Sequence, residues 1–200
     1  MKVSHWLLPV TTLGPGSRLA VWMQGCSHRC SGCVSPELQG DGGIEYQVKD
    51  LAEIFNRLIG QYSLDGITIS GGEPFDQSEQ LLELCDMLEC GDILVYSGYT
   101  AEELYQTYGK TLIRSAVGVL ITGPYVEELD DNRPLRGSSN QEILFQRLEL
   151  QEKYRQYLDC EVRKQQFFVQ SSMIYMAGLP PTGEAQSIRD AIKHVMEEQI

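Results

Sequence analysis

Between residues 18 and 122 the sequence alternates short apolar runs with amphipathic stretches of helical period, and this repeat constrains the fold more than any other feature. Arg18–Met23 (RLAVWM) is short, apolar and closed by Gln24-Gly25, as a buried strand is. Residues 48–59 place Leu51, Ile54, Phe55, Leu58 and Ile59 at helical spacing, with Gly60 where a helix-ending glycine belongs. Asp65-Gly66 turns the chain into a strand at 67–70, which stops at Gly71-Gly72-Glu73-Pro74. A second helix over 78–89 carries Leu81, Leu84, Cys85 and Leu88 on one face. Then come a strand at 93–97, a helix over Ala101–Tyr108 introduced by Thr100 and Glu103 as a capping box, and a strand at 118–122. Strands separated by one helix each imply right-handed crossovers and a parallel sheet, hence an α/β fold, left open or curved into a full or partial barrel.

In either geometry ligands gather beyond the C-terminal ends of the strands. The chemically suggestive residues fall there: three cysteines after the first strand, Gly-Gly-Glu-Pro after the second, Ser97-Gly98-Tyr99 after the third, Thr122-Gly123-Pro124 after the fourth. Residues 125–140 (YVEELDDNRPLRGSSN) form a long polar loop on the same rim. The last third reads as a mixed helix over 148–158, a hairpin of 161–170 and 173–177, and a helix over 184–198. With 200 residues in all, the expected organisation is a core over 1–140 and a small α+β extension over 141–200 packed on it.

Six cysteines are present, and Cys26, Cys30 and Cys33 crowd into one stretch while Cys85, Cys90 and Cys160 are scattered and read as small buried hydrophobes. No run approaches the ~20 apolar residues of a membrane span, and the start Met1-Lys2-Val3-Ser4-His5-Trp6 lacks the apolar core of a signal peptide. A cytoplasmic location is therefore expected, and there thiols stay reduced, so the cluster points to metal binding or catalysis rather than disulfides. The formal charge of −12 opposes binding to nucleic acid or to an anionic membrane.

The three cysteines are one helical turn apart, but Gly25, Ser27, Ser31, Gly32 and Pro36 favour a loop wrapped around something. Three thiolates can hold three corners of a 4Fe-4S cubane; a cluster that only transfers electrons normally takes a fourth cysteine. Cys85 lies far away on a predicted core face, so the fourth iron would be left to a non-protein ligand. Against this stand a structural zinc site completed by His28 or His5, which lacks the usual two spaced couples, and three unrelated buried cysteines. An iron-sulfur electron carrier or scaffold is the non-catalytic alternative. His28 reads as a solvent-facing or loop-stabilising residue rather than a ligand. Gly71-Gly72-Glu73-Pro74 alone is an ordinary tight turn; beside a cysteine loop its glycines would let a ligand reach the backbone, whose carbonyls could accept from a cationic amine.

Together, Cys26-Ser27-His28-Arg29-Cys30-Ser31-Gly32-Cys33 and Gly71-Gly72-Glu73-Pro74 resemble the radical S-adenosylmethionine superfamily, with its C-x3-C-x2-C motif and GGEP-type turn. Gly14-Pro15-Gly16-Ser17-Arg18 and Gln24-Gly25-Cys26 are similar to the opening segment of glycyl-radical-enzyme activases. Tyr96-Ser97-Gly98-Tyr99-Thr100, Gly123-Pro124-Tyr125 and the run 133–141 (RPLRGSSNQ) look most like the activating proteins of anaerobic ribonucleoside-triphosphate reductases. Gly32 stands where the superfamily usually has an aromatic residue.

The resemblance implies a partial (β/α) barrel of mainly parallel strands, covering roughly residues 10–141. It implies a 4Fe-4S cluster on Cys26, Cys30 and Cys33, with S-adenosylmethionine chelating the open iron through its amino and carboxylate groups. Gly71, Gly72, Glu73 and Pro74 would meet the amino group, Gly32, Cys33 and Val34 would border the adenine, and Ser97 would approach the ribose. One electron into the sulfonium would yield methionine and a 5′-deoxyadenosyl radical, which would take hydrogen from a glycine of a partner glycyl radical enzyme such as anaerobic ribonucleotide reductase. No protein general base is implied, while a one-electron donor such as flavodoxin or ferredoxin is. The alternative within the superfamily is a maturase acting on a peptide or small molecule.

Overall fold

The computed structural model describes residues 1–159, 162–170 and 173–197; Cys160, the first residue of the expected hairpin and the last of the final helix lie outside the described residues. In chain order the elements are β1 (Lys2–Val10), β2 (Arg18–Met23), β3 (Ile44–Glu45), α1 (Val48–Gln61), β4 (Gly66–Gly71), α2 (Ser78–Met87), β5 (Ile93–Tyr96), α3 (Ala101–Tyr108), α4 (Lys110–Ala116), β6 (Val119–Thr122), β7 (Glu142–Phe145), α5 (Gln151–Leu158), β8 (Gln165–Gln170), β9 (Met173–Gly178) and α6 (Ala185–Glu197). The main sheet has seven strands in the order β3-β1-β2-β4-β5-β6-β7. Its centre, β2-β4-β5-β6, is parallel, as the helix-strand alternation requires. The flanks are antiparallel: β1 pairs with β2 and β3, and β7 with β6. The protein is thus α/β with a parallel centre, and among the described residues the sheet does not close into a barrel.

The flanking strands β1, β3 and β7 and the short helix α4 are additions to the sequence reading. α1 also runs past Gly60. Its stop is Ser63, held at φ +49°, with Leu64 N donating to Ile59 O at 3.0 Å, so the left-handed position falls three residues later than the glycine suggested. α3 begins as expected, with Thr100 Oγ1 accepting from Glu103 N and the Glu103 carboxylate accepting from Thr100 N at 2.8 Å.

Side chains alternate across the central strands, so the sheet has two distinct faces. Leu19, Val21, Met23, Ile67, Ile69, Ile93, Val95 and Leu120 pack under the helices with Leu51, Phe55, Leu81, Leu84 and Leu104. The opposite, inner face carries Ala20 and Trp22 under the β8-β9 hairpin, and Leu94, Val119 and Ile121 under Tyr154 of α5. Between those two patches, the inner face is polar at one end and hollow at the other.

The polar end is closed by Arg18, which is fully buried. Its Nε donates to Thr68 Oγ1 at 2.7 Å, Nη1 to Pro15 O and to Asp92 Oδ2 at 3.0 Å, and Nη2 to Ile67 O at 2.7 Å and to Asp92 Oδ1 at 3.1 Å. Asp92 in turn accepts from Tyr154 Oη at 2.7 Å and Lys153 Nζ at 2.8 Å. Arg18, Lys153 and Tyr154 together hold the Asp92 carboxyl below the usual carboxylate range despite its burial. The segment 14–18 thereby ties the starts of β2, β4 and β5 to α5.

Candidate functional site at the C-terminal rim

A cavity of about 260 Å³ opens beyond the C-terminal ends of β2, β4, β5 and β6. Its floor is the inner face itself, through Trp22, Ser70 and Tyr96. Its rim is the chain that follows each strand. Cys26, Cys30, Gly32, Cys33, Val34, Gly71, Gly72, Glu73 and Ser97 all line it. Pro74 does not; it is buried behind the wall as the first residue of a short 3-10 helix, where a proline's missing N–H costs nothing.

The cysteine stretch is a loop, closed at its base by Gly25 N donating to Leu38 O at 2.8 Å and by Gln24 Nε2 donating to Gly40 O at 2.8 Å. Leu38 is buried and anchors the return. Gly32 has φ +70°, and a Cβ there would meet the Glu127 carboxylate at 2.6 Å. The left-handed backbone disfavours a side chain there, and the Glu127 carboxylate would have to swing aside to admit one.

The Gly-Gly-Glu-Pro turn is bonded directly to this loop. Gly72 N donates to Met23 O at 2.9 Å and Glu73 N to Gly25 O at 2.8 Å. A Cβ on Gly71 would run into the Met23 backbone, and one on Gly72 into the Gly25 carbonyl. The glycines are therefore needed for the close approach of the cysteine loop. Beyond them, Asp76 accepts from Ser27 N at 2.8 Å, from Ser27 Oγ at 2.9 Å and from Tyr99 Oη at 2.9 Å.

Glu73 is buried, and its carboxylate links three segments: it accepts from Phe75 N at 2.9 Å, Ser97 Oγ at 2.9 Å and Gly98 N at 2.6 Å. Burial outweighs these bonds and pushes its pKa up to about 7. His28 Nε2 stands 3.6 Å from Glu73 Oε2, beyond hydrogen-bond reach, while the ring lies edge-on to Tyr99 at 4.4 Å. The His28 ring is thus packed against the Gly98-Tyr99 rim, outside its own loop, and lines the cavity. Two polar atoms at this end, His28 Nε2 and Tyr96 Oη, are buried with no hydrogen-bond partner among the described residues.

The loop at 125–140 forms a further side through Tyr125, Glu127, Asp130 and Gly137. It is held by Arg163, which reaches across to Asp130 Oδ1 at 2.7 Å, Arg133 O at 2.9 Å and Arg136 O at 2.8 Å. Sequence reasoning did not single out Asp76, Arg163 or Arg189, since nothing local marks them. For Tyr99, its place in the run after β5 was the available signal.

Among the described residues, no three His, Cys, Asp or Glu side chains converge on a single ion. His5 is stacked on Trp22 at 4.7 Å, away from the cavity, and burial lowers its pKa to about 4. Of the two histidines that could complete a zinc site with the cysteines, His5 is thereby kept out of the cavity. Cys26, Cys30 and Cys33 are free, partly exposed thiols that share one cavity wall, a donor set suited to a cluster in which each thiolate takes its own iron. No fourth cysteine among the described residues lines that cavity: Cys85 is buried on the helical face, its thiol pushed up to about 12, and Cys90 donates to Asp92 O at 3.5 Å.

Comparison with known proteins agrees with that donor set. The 4Fe-4S single cluster domain family matches residues 12–144. The chain belongs to this iron-sulfur family. Over 149 residues it is 31% identical to the anaerobic ribonucleoside-triphosphate reductase-activating protein of Escherichia coli K12, covering 70% of this chain and 96% of that relative. The same-named protein of Haemophilus influenzae is 32% identical over 139 residues, covering 65% of this chain and 88% of its own length. That of Enterobacteria phage T4 is 28% identical over 137 residues, covering 65% and 85%. In this iron-sulfur protein the family match takes in the sheet from β2 to β7 and ends before α5, β8, β9 and α6. Among the described residues no helix is long and apolar enough to cross a membrane.

Proposed function

We propose that this chain is a radical S-adenosylmethionine enzyme of the glycyl-radical-enzyme activating type, working in the cytoplasm on an anaerobic ribonucleotide reductase. The observation that carries the reading is the joining, by backbone hydrogen bonds, of a three-cysteine loop to a Gly-Gly-Glu turn on the wall of one cavity. The relatives named as reductase-activating proteins support the choice of partner.

In this reading Cys26, Cys30 and Cys33 hold the 4Fe-4S cluster, and residues 1–140 form a radical S-adenosylmethionine core of partial-barrel type, extended by 141–200. Gly32, Cys33, Val34, Gly71, Gly72, Glu73 and Ser97 surround S-adenosylmethionine, and Pro74, expected beside them, stands behind the wall and shapes the turn. When bound, cluster and S-adenosylmethionine would supply a one-electron cleavage of the sulfonium C–S bond into methionine and a hydrogen-abstracting 5′-deoxyadenosyl radical, the electron coming from a donor such as flavodoxin or ferredoxin. The chain's own residues bind, orient and exclude water. The glycine turn lets the loop and the ligand approach the same backbone. Glu73 fixes the Ser97-Gly98 rim against the turn. The 125–140 loop offers the surface on which a partner's glycine loop would enter.

The test is anaerobic reconstitution with iron and sulfide, reduction in the presence of S-adenosylmethionine, and measurement of 5′-deoxyadenosine. Absence of cleavage would argue against any radical enzyme. Cleavage without a glycyl radical signal on an anaerobic reductase would point to the second reading, a maturase of a peptide or small molecule. One observation favours that reading: residues beyond the family match line the cavity, as a dedicated substrate wall would.

A further inference from the structure

The residues that follow the family match are part of the candidate site. Met176, Leu179, Pro180, Gln186 and Arg189 line the cavity that the three cysteines line. The hairpin that carries this wall is seated firmly. Phe168, Tyr175 and Ala177 pack on Leu7, Val10 and Trp22 of the inner face. Thr12 Oγ1 donates to Ala177 O at 3.0 Å, and the Gln166 amide bridges Thr11 N and Pro9 O.

From this wall α6 reaches back to the cysteine loop. Arg189 Nη1 donates to Cys33 O at 3.1 Å and to Val34 O at 3.3 Å. Its Nη2 donates to Gln186 Oε1 at 2.8 Å, one helical turn earlier, which fixes the plane of the guanidinium. Within the loop, the turn that carries Cys33 is held by one long bond, Cys33 N to Cys30 O at 3.4 Å, beside the left-handed Gly32. A loop so lightly tied internally takes its shape from what grips it outside.

We propose that Arg189 is a positioning residue for the cluster-binding loop, pinning the Cys33-Val34 backbone from an element that lies beyond the family match. The inference rests on the cluster reading above and deepens it. Groups around a metal site orient its ligands and tune its electronics, and a guanidinium keeps its charge at any working pH. A cation held on the wall of the cavity that the three thiolates line favours the more negative, reduced state of what they hold. Arg189 thus does two separable things: it restrains the backbone of the third thiolate and it raises the reduction potential of the site.

The experiment compares wild type, R189Q and R189K in the full chain. Hydrogen exchange of residues 26–38 is measured in the metal-free protein; loss of iron to a chelator and the reduction midpoint are measured after reconstitution. R189Q is expected to show several-fold faster exchange in the loop, several-fold faster iron loss and a more negative midpoint. R189K is expected to recover the midpoint while leaving the loop less protected than wild type, since an ammonium cannot reproduce the planar two-carbonyl grip. Wild-type protein that takes up no iron at Cys26, Cys30 and Cys33 overturns both readings. Wild-type protein that holds the cluster, beside an R189Q variant with unchanged exchange, iron loss and midpoint, overturns the role of Arg189 alone.

Discussion

At the N-terminal ends of the central strands the buried Arg18 guanidinium finds an acceptor at each of its nitrogens, whereas at the C-terminal ends the buried His28 Nε2 and Tyr96 Oη find none among the described residues. Both ends lie on the same inner face of one sheet, so the difference is one of construction rather than location. At the first end a carboxylate is held below its ordinary range by two cations and a phenol. At the second a carboxylate is driven up to about 7 by burial, with only neutral donors bonded to it. Polar groups that are satisfied internally hold a fold together; buried ones left without partners are costly unless a ligand completes them. The contrast matches the division, known in barrel folds, between a stabilising face and a reactive one.

The largest expected effect separates the two ends by function. Replacing Cys30 with Ala should abolish iron retention on reconstitution while leaving the melting temperature of the metal-free protein close to wild type. A large drop in melting temperature would mean that the rim is structural after all.

At the other end, Asp92→Asn should cost about 3–5 kcal/mol in urea unfolding, because it leaves Arg18 buried without its counter-charge. A loss below about 1 kcal/mol would show that the network contributes little there.

The two carboxylates should also give opposite pH signatures in the metal-free protein. Asp92, with its folded pKa lowered, adds stability that is present above its unfolded value near 3.8 and is lost as pH falls through the folded pKa. Glu73, with its folded pKa raised, keeps its proton in the folded state between about 4.5 and 7, so stability declines as pH rises across that window. The decline is on the order of 3–4 kcal/mol at most, and Glu73→Gln should flatten it. A stability curve for Glu73→Gln that keeps the wild-type slope between those values would remove Glu73 as its source.

The smallest effect concerns two tyrosines on the inner face. Tyr154→Phe removes a hydroxyl donating to a charged Asp92 and should cost about 1.5–3 kcal/mol. Tyr96→Phe removes a hydroxyl with no partner and should change stability by less than about 0.5 kcal/mol, or raise it. Equal losses for both would erase the contrast.

Much of the core was legible because its signals are local. The apolar runs of β2, β4, β5 and β6, the helical spacing in α1 and α2 and the Thr100-Glu103 box depend on residues a few positions apart. The edges were harder. In β1 the pairing with β2 shifts register twice, which breaks the alternation that marks a strand, and β7 is four residues with only intermediate burial. At the rim, the residue types of Cys26, Cys30, Cys33 and the glycine turn announced a site, but Asp76 and Arg163 are ordinary polar residues until distant segments meet them.

The sequence by itself determined the alternation of elements, and with it the parallel centre and the rim on which the cysteines and glycines fall, because periodicity and chain order need no partner to be expressed. Only the tertiary structure decided that Arg18 closes the far end against Asp92, 74 residues away, and that Arg189 reaches a carbonyl 156 residues before it. Those contacts depend on buried charges and backbone carbonyls finding partners once the sheet has formed, and no local pattern encodes which partner that is.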